Sequence, residues 1–149
     1  MPSETTPGDQ PLVVFHDGAC PLCQAEVMML MHGDTDASIE FIDIHSECFD
    51  RASNGVTRDQ ALRALHGRIG NGRTIQGIDV FAEAYRRAGF SLAHWFMQRR
   101  WLRPALEAGY RFFATNRETI SRLVGPAALT MMRRRYRNTS SRSASQGSG

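Results

Sequence analysis

A strand-helix-strand pattern at the start of the sequence limits the fold more than any other feature. Residues 12–15 form a short apolar run and residues 39–44 alternate apolar and polar types, so both segments predict strands. Between them Pro21 begins a predicted helix, because the N–H that proline lacks would be unpaired in the first helical turn. Gly33 is expected to end this helix. One helix between two such strands predicts parallel pairing with a right-handed crossover.

The middle of the chain predicts a second helix and a hairpin. Thr57 and Gln60 have the spacing of a capping box, and Gly67 is expected to end the helix that they begin. Asn71-Gly72 separates two short strand-like segments, which is typical of a type I′ turn. The third and fourth strands are therefore predicted to be antiparallel.

Three helical segments are predicted after the hairpin, over residues 79–88, 91–100 and 104–124, and Gly125-Pro126 is expected to break the last one. The predicted order is β-α-β-α-β-β-α with additional C-terminal helices. This order predicts an α/β fold of the thioredoxin-like kind, which is a mixed sheet with helices on both faces.

The length of 149 residues fits one domain. We predict a flexible leader at residues 1–10, a thioredoxin-like domain with a C-terminal helical extension at 11–125, and a basic, Ser/Gly-rich, largely disordered tail at 126–149. No apolar run approaches the roughly 18 residues of a membrane span, and the N-terminal residues lack a secretory pattern. We therefore expect a cytoplasmic protein.

The basic residues, 18 in number, are all arginines, which excludes chemistry that needs a lysine, such as a Schiff base. The net charge is +3, and the Arg-rich C-terminal region could contact nucleic acid or an anionic membrane surface. Trp95, Phe96 and Trp101 lie beside arginines, so they too could belong to a contact surface for nucleic acid or a membrane. The favoured interpretation is a solvated arginine face with the aromatic residues in the core.

Cysteines are few, and their odd number excludes a secreted disulfide scaffold. Cys20-Pro21-Leu22-Cys23 falls where the first strand meets the first helix. The free N–H groups and the dipole of a helix N-terminus stabilise an anion, which predicts a lowered pKa for Cys20, the thiol expected to be the more exposed. Cys23 follows about one helical turn later, close enough for a disulfide. The motif predicts thiol-disulfide exchange in which Cys20 attacks and Cys23 resolves.

The same two cysteines could instead form half of a zinc site. The other candidate ligands are Cys48, His16, His32 and His45, and no second pair with zinc-ligand spacing occurs. Metal binding, or a redox-inactive interaction module on a thioredoxin-like scaffold, stays the alternative. The favoured interpretation needs neither a metal nor a cofactor, and its partner is a protein or small-molecule disulfide or thiol.

Asp17 is the third candidate catalytic residue, three residues before Cys20. Its carboxylate could accept a proton from a thiol, or it could accept hydrogen bonds from backbone N–H groups in an Asp-Gly turn. Gly18 is expected to have a positive φ. His16 could lower a thiol pKa or simply end the strand. Cys48 could be a third redox partner, but a structural or adventitious thiol in a loop is expected.

The D-x-x-C-x-x-C pattern of Asp17, Cys20 and Cys23 resembles the DCC family of thiol-disulfide oxidoreductases, which is named for that motif. The resemblance runs from about residue 12 to residue 124. Further matching stretches are Ile42-Asp43-Ile44, Gly77-Ile78-Asp79-Val80-Phe81, the region from Leu102-Arg103-Pro104 to Gly109-Tyr110-Arg111, and Ala114-x-Asn116-Arg117. The resemblance implies a thioredoxin-like fold and a redox role for Cys20 and Cys23, with Asp17 as a motif residue.

One departure from the wider thioredoxin class concerns the loop that would face the substrate. Members of that class carry a cis-proline just before the third core strand, whereas this chain has no proline between Pro21 and Pro104. The loop is therefore expected to differ. The C-P-x-C form is also similar to glutaredoxins, but the chain has no signature of a glutathione site.

Overall fold

The computed structural model of the chain describes residues 10–70 and 72–145, with side chains as far as residue 137. The predicted leader, apart from Gln10, and Asn71 of the predicted turn lie outside the described residues. The strands are β1 (Leu12–His16), β2 (Ile39–Asp43), β3 (His66–Ile69) and β4 (Arg73–Gln76). The helices are α1 (Pro21–Gly33), α2 (Glu47–Ala52), α3 (Arg58–Arg63), α4 (Ile78–Arg87), α5 (Ser91–Gln98) and α6 (Arg103–Ser145).

The four strands form one mixed sheet in the order β2-β1-β3-β4. β1 runs parallel to β2 and antiparallel to β3, and β4 is antiparallel to β3. The parallel pair, the hairpin pairing and the mixed sheet were all predicted from the sequence, and the thioredoxin-like fold class is confirmed.

The core has two layers because successive residues of β1 point to opposite faces of the sheet. Leu12 and Val14 pack in a cluster with residues of α1 and α4, such as Leu30 and Val80. On the other face, Val13 and Phe15 pack in a cluster with residues of β2, α2 and α3, including Ile42, Phe49 and Ala61. The sheet is thus covered on both sides, and β1 lies at the centre of the molecule.

The region between β2 and β3 differs from its prediction in two ways: it contains one helix that was not predicted, and the predicted helix ends earlier than expected. α2 was not predicted, because this six-residue helix buries only Phe49 and so has no periodic apolar pattern. α3 begins with the predicted capping box at Thr57 but ends at Arg63, and Gly67 belongs to β3. A Cβ at Gly67 would lie 3.0 Å from the Val13 carbonyl oxygen, so this glycine allows close packing in the sheet and does not end a helix.

The last helix differs most from its prediction. α6 continues through Gly125 and Pro126 to Ser145, where a break and a largely disordered tail were predicted. The physical reason is packing against α1. Gly125 is buried there, and a Cβ on it would lie 3.0 Å from Pro21 Cβ. Further along, the ring of Tyr136 stacks on His32 of α1 with centroids 3.5 Å apart.

Pro126 costs the helix one backbone hydrogen bond, but tertiary contacts on both sides of it hold α6 together. The predicted break at Gly125-Pro126 is therefore wrong, the disorder of the tail stays a prediction, and residues 146–149 lie outside the described part. The division of the chain into domains stays a prediction. Among the described residues, no helix is long and apolar enough to cross a membrane.

Gly109 and Gly125 of α6 differ in packing, and we expect substitutions at the two positions to have opposite effects on stability. A Cβ at Gly109 would have no other atom within 4 Å, so Gly109→Ala should stabilise the fold by about 0.5–1 kcal/mol through helix propensity. Gly125→Leu should destabilise it by about 1–3 kcal/mol, because the side chain must enter the contact with α1. Urea unfolding of both variants measures this difference. Equal effects at the two positions would contradict the close packing of α6 on α1.

Candidate dithiol site

The site begins at the junction between β1 and α1. Asp17, Gly18 and Ala19 connect the two elements, and the N–H of Gly18 donates to Asp43 Oδ1 at 3.1 Å. A Cβ at position 18 would overlap the Asp43 carboxylate, so a larger residue here would displace that side chain. The predicted positive φ of Gly18 is wrong, since this glycine is required for space and does not have the left-handed conformation.

Cys20 is the N-cap of α1, and its sulfur lies among hydrogen-bond donors. The N–H of Cys23 donates to Cys20 Sγ at 3.3 Å, and Ser121 Oγ of α6 lies 3.3 Å from the same sulfur. Cys20 is only 6% exposed, whereas Cys23 is partly exposed. The expected order of exposure is therefore reversed, because α6 covers the first thiol.

The two thiols have opposite pKa shifts. A hydrogen bond from the Cys23 thiol lowers the pKa of Cys20 to about 5, with help from Ser121, the Cys23 N–H and the charge of Arg117, while burial opposes the shift. The same hydrogen bond, together with burial, raises the pKa of Cys23 far above its usual range. These directions favour a thiolate on Cys20 and a protonated thiol on Cys23 at neutral pH.

Asp17 lies at the centre of a network of polar contacts. Its Oδ1 accepts from the N–H of Ala19 at 3.0 Å, as predicted for the turn, and lies 2.9 Å from His45 Nε2. Its Oδ2 pairs with the Arg117 guanidinium of α6 at 3.1 Å. The motif aspartate therefore connects the β1–α1 junction to the loop after β2 and to α6.

Glu26 is a carboxylate close to the dithiol, one turn of α1 after Cys23. It accepts a hydrogen bond from the Tyr85 hydroxyl at 2.8 Å, and burial raises the pKa of Glu26 to about 7. Glu26 and Cys23 both line a cavity of about 60 Å³, whose other polar lining includes Asp17 and Arg117. This volume is enough for water molecules with polar partners.

The other residues that the sequence suggested have separate positions. His16 lines the same cavity, and burial lowers its pKa, so a positive charge on its ring is disfavoured. Cys48 is exposed on α2, with Arg51 at 3.9 Å from its sulfur, and His32 contacts Tyr136. Among the described residues, no three His, Cys, Asp or Glu side chains form a group that could hold a metal ion.

Three residues of the site escaped sequence reasoning about chemistry, namely Glu26, Arg117 and Ser121. Arg117 appeared only as part of a stretch that resembles the DCC family. Ser121 follows it by four residues, which places both on one face of α6. No sequence signal identifies that face as the one that covers α1. Glu26 follows Cys23 by three residues, which also places both on one face of a helix, but its burial could not be read from a helix with so many apolar residues.

The loop before β3 has its own arrangement in place of a cis-proline. The N–H of Leu65 donates to the Tyr110 hydroxyl at 2.6 Å, a bond that a proline could not make. No cis peptide bond occurs in the described ranges 10–70 and 72–145. The loop was expected to differ from that of the wider thioredoxin class. The difference in the structure is its hydrogen bond to Tyr110 of α6.

A mixed four-stranded sheet with two cysteines at the start of its first helix defines a thioredoxin-like dithiol protein. A model of the DCC1-like thiol-disulfide oxidoreductase family matches residues 14–123, well over half of the chain, and the chain belongs to that family. An uncharacterized chloroplastic protein of Arabidopsis thaliana is 30% identical over 88 residues, 58% of this chain and 41% of the relative. The chain thus spans about two-fifths of that protein's length. No solved structure matches.

We expect the thiolate absorbance of a reduced Cys48→Ser variant to titrate with a midpoint near pH 5, because only Cys20 loses its proton in that range. Adding Ser121→Ala should raise the midpoint by about one pH unit, since a hydrogen bond to a charged group contributes about 1.5 kcal/mol. Thr115→Ala, which removes an exposed hydroxyl on the same helix, is the control and should leave it unchanged. A midpoint near pH 9 would contradict the assignment of the thiolate to Cys20.

Proposed function

We propose that this protein is a thiol-disulfide oxidoreductase in which Cys20 is the nucleophile and Cys23 the resolving thiol. The observation that carries the proposal is the opposite shift of the two pKa values at the N-terminus of α1. A nucleophile needs to be a thiolate at neutral pH, and a resolving thiol needs to keep its proton until the mixed disulfide has formed. Membership of the DCC1-like family supports the same class of reaction.

The reaction consists of two displacements. The Cys20 thiolate attacks one sulfur of the substrate disulfide, which forms a mixed disulfide and releases the first substrate thiolate. Cys23 then loses its proton and attacks Cys20 Sγ, which forms the Cys20–Cys23 disulfide and releases the second thiolate. The substrate gains two electrons and the protein loses two. The reverse sequence transfers a disulfide to a substrate dithiol.

Resolution requires a proton acceptor, and we assign this role to Glu26. Once Cys20 is part of a mixed disulfide, Cys23 no longer donates to a thiolate, so the main cause of its raised pKa is gone. Glu26 shares the cavity with Cys23, and its raised pKa makes it a better base than an ordinary carboxylate. We propose that Asp17, although predicted as a proton acceptor, instead positions Arg117 and the β1–α1 junction.

Access to the thiolate involves α6. Ser121 covers Cys20 Sγ, so we propose that the substrate reaches the sulfur when this part of α6 moves away from α1. Beside Cys23 lies a groove of about 550 Å³ with mostly apolar lining, including Leu22, Met29 and Phe113. This groove favours a disulfide with apolar neighbours, in a protein or a small molecule. We further propose a cytoplasmic location, where a reduced dithiol is the resting state.

We expect the two motif cysteines to fail in different ways. Cys20→Ser should reduce disulfide exchange to the background rate, whereas Cys23→Ser should accumulate a mixed disulfide between Cys20 and the substrate, visible by mass spectrometry. Cys48→Ser is the matched control and should retain wild-type activity, because Cys48 is exposed on α2. Full activity of Cys20→Ser would refute the assignment of the nucleophile.

We also expect the second displacement to depend on pH through Glu26. With an aromatic disulfide that releases a coloured thiol, stopped-flow absorbance of the Cys48→Ser background separates the first release from the second. The rate of the second release should rise with pH around a midpoint near 7, because Glu26 accepts a proton only when ionised. Glu26→Gln should remove this midpoint and slow the second release by roughly tenfold or more.

The comparison variant for this prediction is Asp17→Asn. If Asp17 acts by positioning Arg117, this variant should keep the midpoint near 7 for the second release. Loss of the midpoint in Asp17→Asn, with the Glu26→Gln profile unchanged from wild type, would transfer the role of proton acceptor to Asp17.

A further inference from the structure

α5 (Ser91–Gln98) has an apolar face that the fold does not use. None of its residues is fully buried, and only one side, with Ala93, His94 and Met97, is half-buried against the rest of the chain. His94 Nδ1 lies 2.8 Å from the Ala82 carbonyl oxygen and ties α5 to α4. The helix is therefore held in place by one side and leaves the other in solvent.

The solvent side of α5 and the turn after it carry four large apolar side chains. Their exposed fractions are 70% for Leu92, 48% for Trp95, 47% for Phe96 and 77% for Trp101. The spacing of Leu92, Trp95 and Phe96 places these three on one face of the helix. The expectation that the aromatic residues belong to the core is therefore wrong. Single exposed apolar residues are common, but a row of them on one helix indicates a contact surface.

The charge of the same segment is entirely positive. The sequence has no Asp or Glu between Glu83 and Glu107. Within the described part of the chain, Arg99 and Arg100 form no ion pair, whereas Arg103 pairs with Asp79. The Arg99 guanidinium lies 3.8 Å from the centroid of the Trp95 ring, so a cation and an aromatic ring are stacked on this surface.

We propose that α5 and the turn to residue 102 form a docking surface for an anionic lipid membrane, independent of the dithiol chemistry. Tryptophan prefers the interface between headgroups and acyl chains, where its ring is buried and its N–H stays hydrated. Leu92 and Phe96 would enter the apolar boundary, and Arg99 and Arg100 would contact headgroup phosphates. The protein would lie on the membrane without crossing it.

A membrane fits this surface better than nucleic acid or a protein does. Leu92 and Phe96 offer apolar area with no hydrogen-bonding group, which a phosphate backbone cannot use, and two unpaired arginines are few for a nucleic-acid site. A protein partner would need its own acidic and apolar patch of matching shape. An anionic bilayer supplies phosphates and apolar area to a convex helix without such a match.

The two tryptophans of the chain, Trp95 and Trp101, both belong to this surface, so intrinsic fluorescence reports on it directly. The experiment adds vesicles of phosphatidylcholine, or of phosphatidylcholine with about one-third phosphatidylglycerol, to the reduced full-length protein. We expect a blue shift and co-sedimentation with the anionic vesicles only, both weakened by added salt.

Variants that keep both tryptophans distinguish the contribution of the apolar side chains to vesicle binding from that of the arginines. Leu92→Ser with Phe96→Ser, and separately Arg99→Gln with Arg100→Gln, should each weaken binding at least about tenfold, while disulfide exchange stays at the wild-type rate. Two controls lie on α6. Leu123→Ser with Met131→Ser removes exposed apolar side chains, and Arg133→Gln with Arg134→Gln removes charge. Both should bind vesicles as the wild type does.

Several outcomes would overturn the proposal. Absence of any fluorescence change with anionic vesicles would do so, as would binding that only the Arg133/Arg134 variant loses. Quenching by a single-stranded oligonucleotide without any response to vesicles would identify nucleic acid as the ligand. A shift that depends on protein concentration without lipid, together with a dimer in sedimentation velocity, would identify a second copy of the chain.

Discussion

The packing of α6 on α1 is the contact on which the candidate site depends. Gly125 lets the two helices approach closely, and the same face of α6 brings Ser121 to the Cys20 sulfur and Arg117 to Asp17. α6 thus supplies two of the contacts that lower the pKa of Cys20, those of Ser121 and Arg117. The C-terminal helix is thus part of the candidate site, although a thioredoxin-like sheet is complete before it begins.

The electrostatics of the dithiol follow from that packing and from one shared proton. A thiolate that is largely buried would normally be costly, because burial disfavours the charged form. Here the donors of Cys23 and Ser121, with the nearby Arg117 charge, outweigh that cost. For Glu26 the balance is opposite, because burial raises its pKa more than the single hydrogen bond from Tyr85 lowers it. The pKa of Cys20 is therefore lowered and that of Glu26 raised, as their proposed roles of nucleophile and proton acceptor require.

Much of the fold could be predicted from local patterns, because the β1–α1–β2 unit, the capping box at Thr57 and the hairpin are each encoded within a few residues. The cysteine pair and Asp17 were found in the same way. Features that depend on contacts between distant parts of the chain could not be predicted in this way. Gly125-Pro126 is a strong local break signal, and only packing against α1 overrides it. The aromatic residues of α5 look like core residues in sequence, since periodicity does not distinguish a buried face from an uncovered one.

The cover over Cys20 has a consequence for oxidative damage. A thiolate at neutral pH is the form of cysteine that peroxides convert to sulfenic and then to irreversible sulfinic and sulfonic acids. The pKa of Cys20 is lowered to about 5, yet the residue is nearly inaccessible, and its partner thiol lies one helical turn away. A sulfenic acid formed there would have Cys23 in position to condense with it to a disulfide, and the cover by Ser121 would restrict a second oxidant. The same cover that limits access to the sulfur thus also favours its reversible oxidation states.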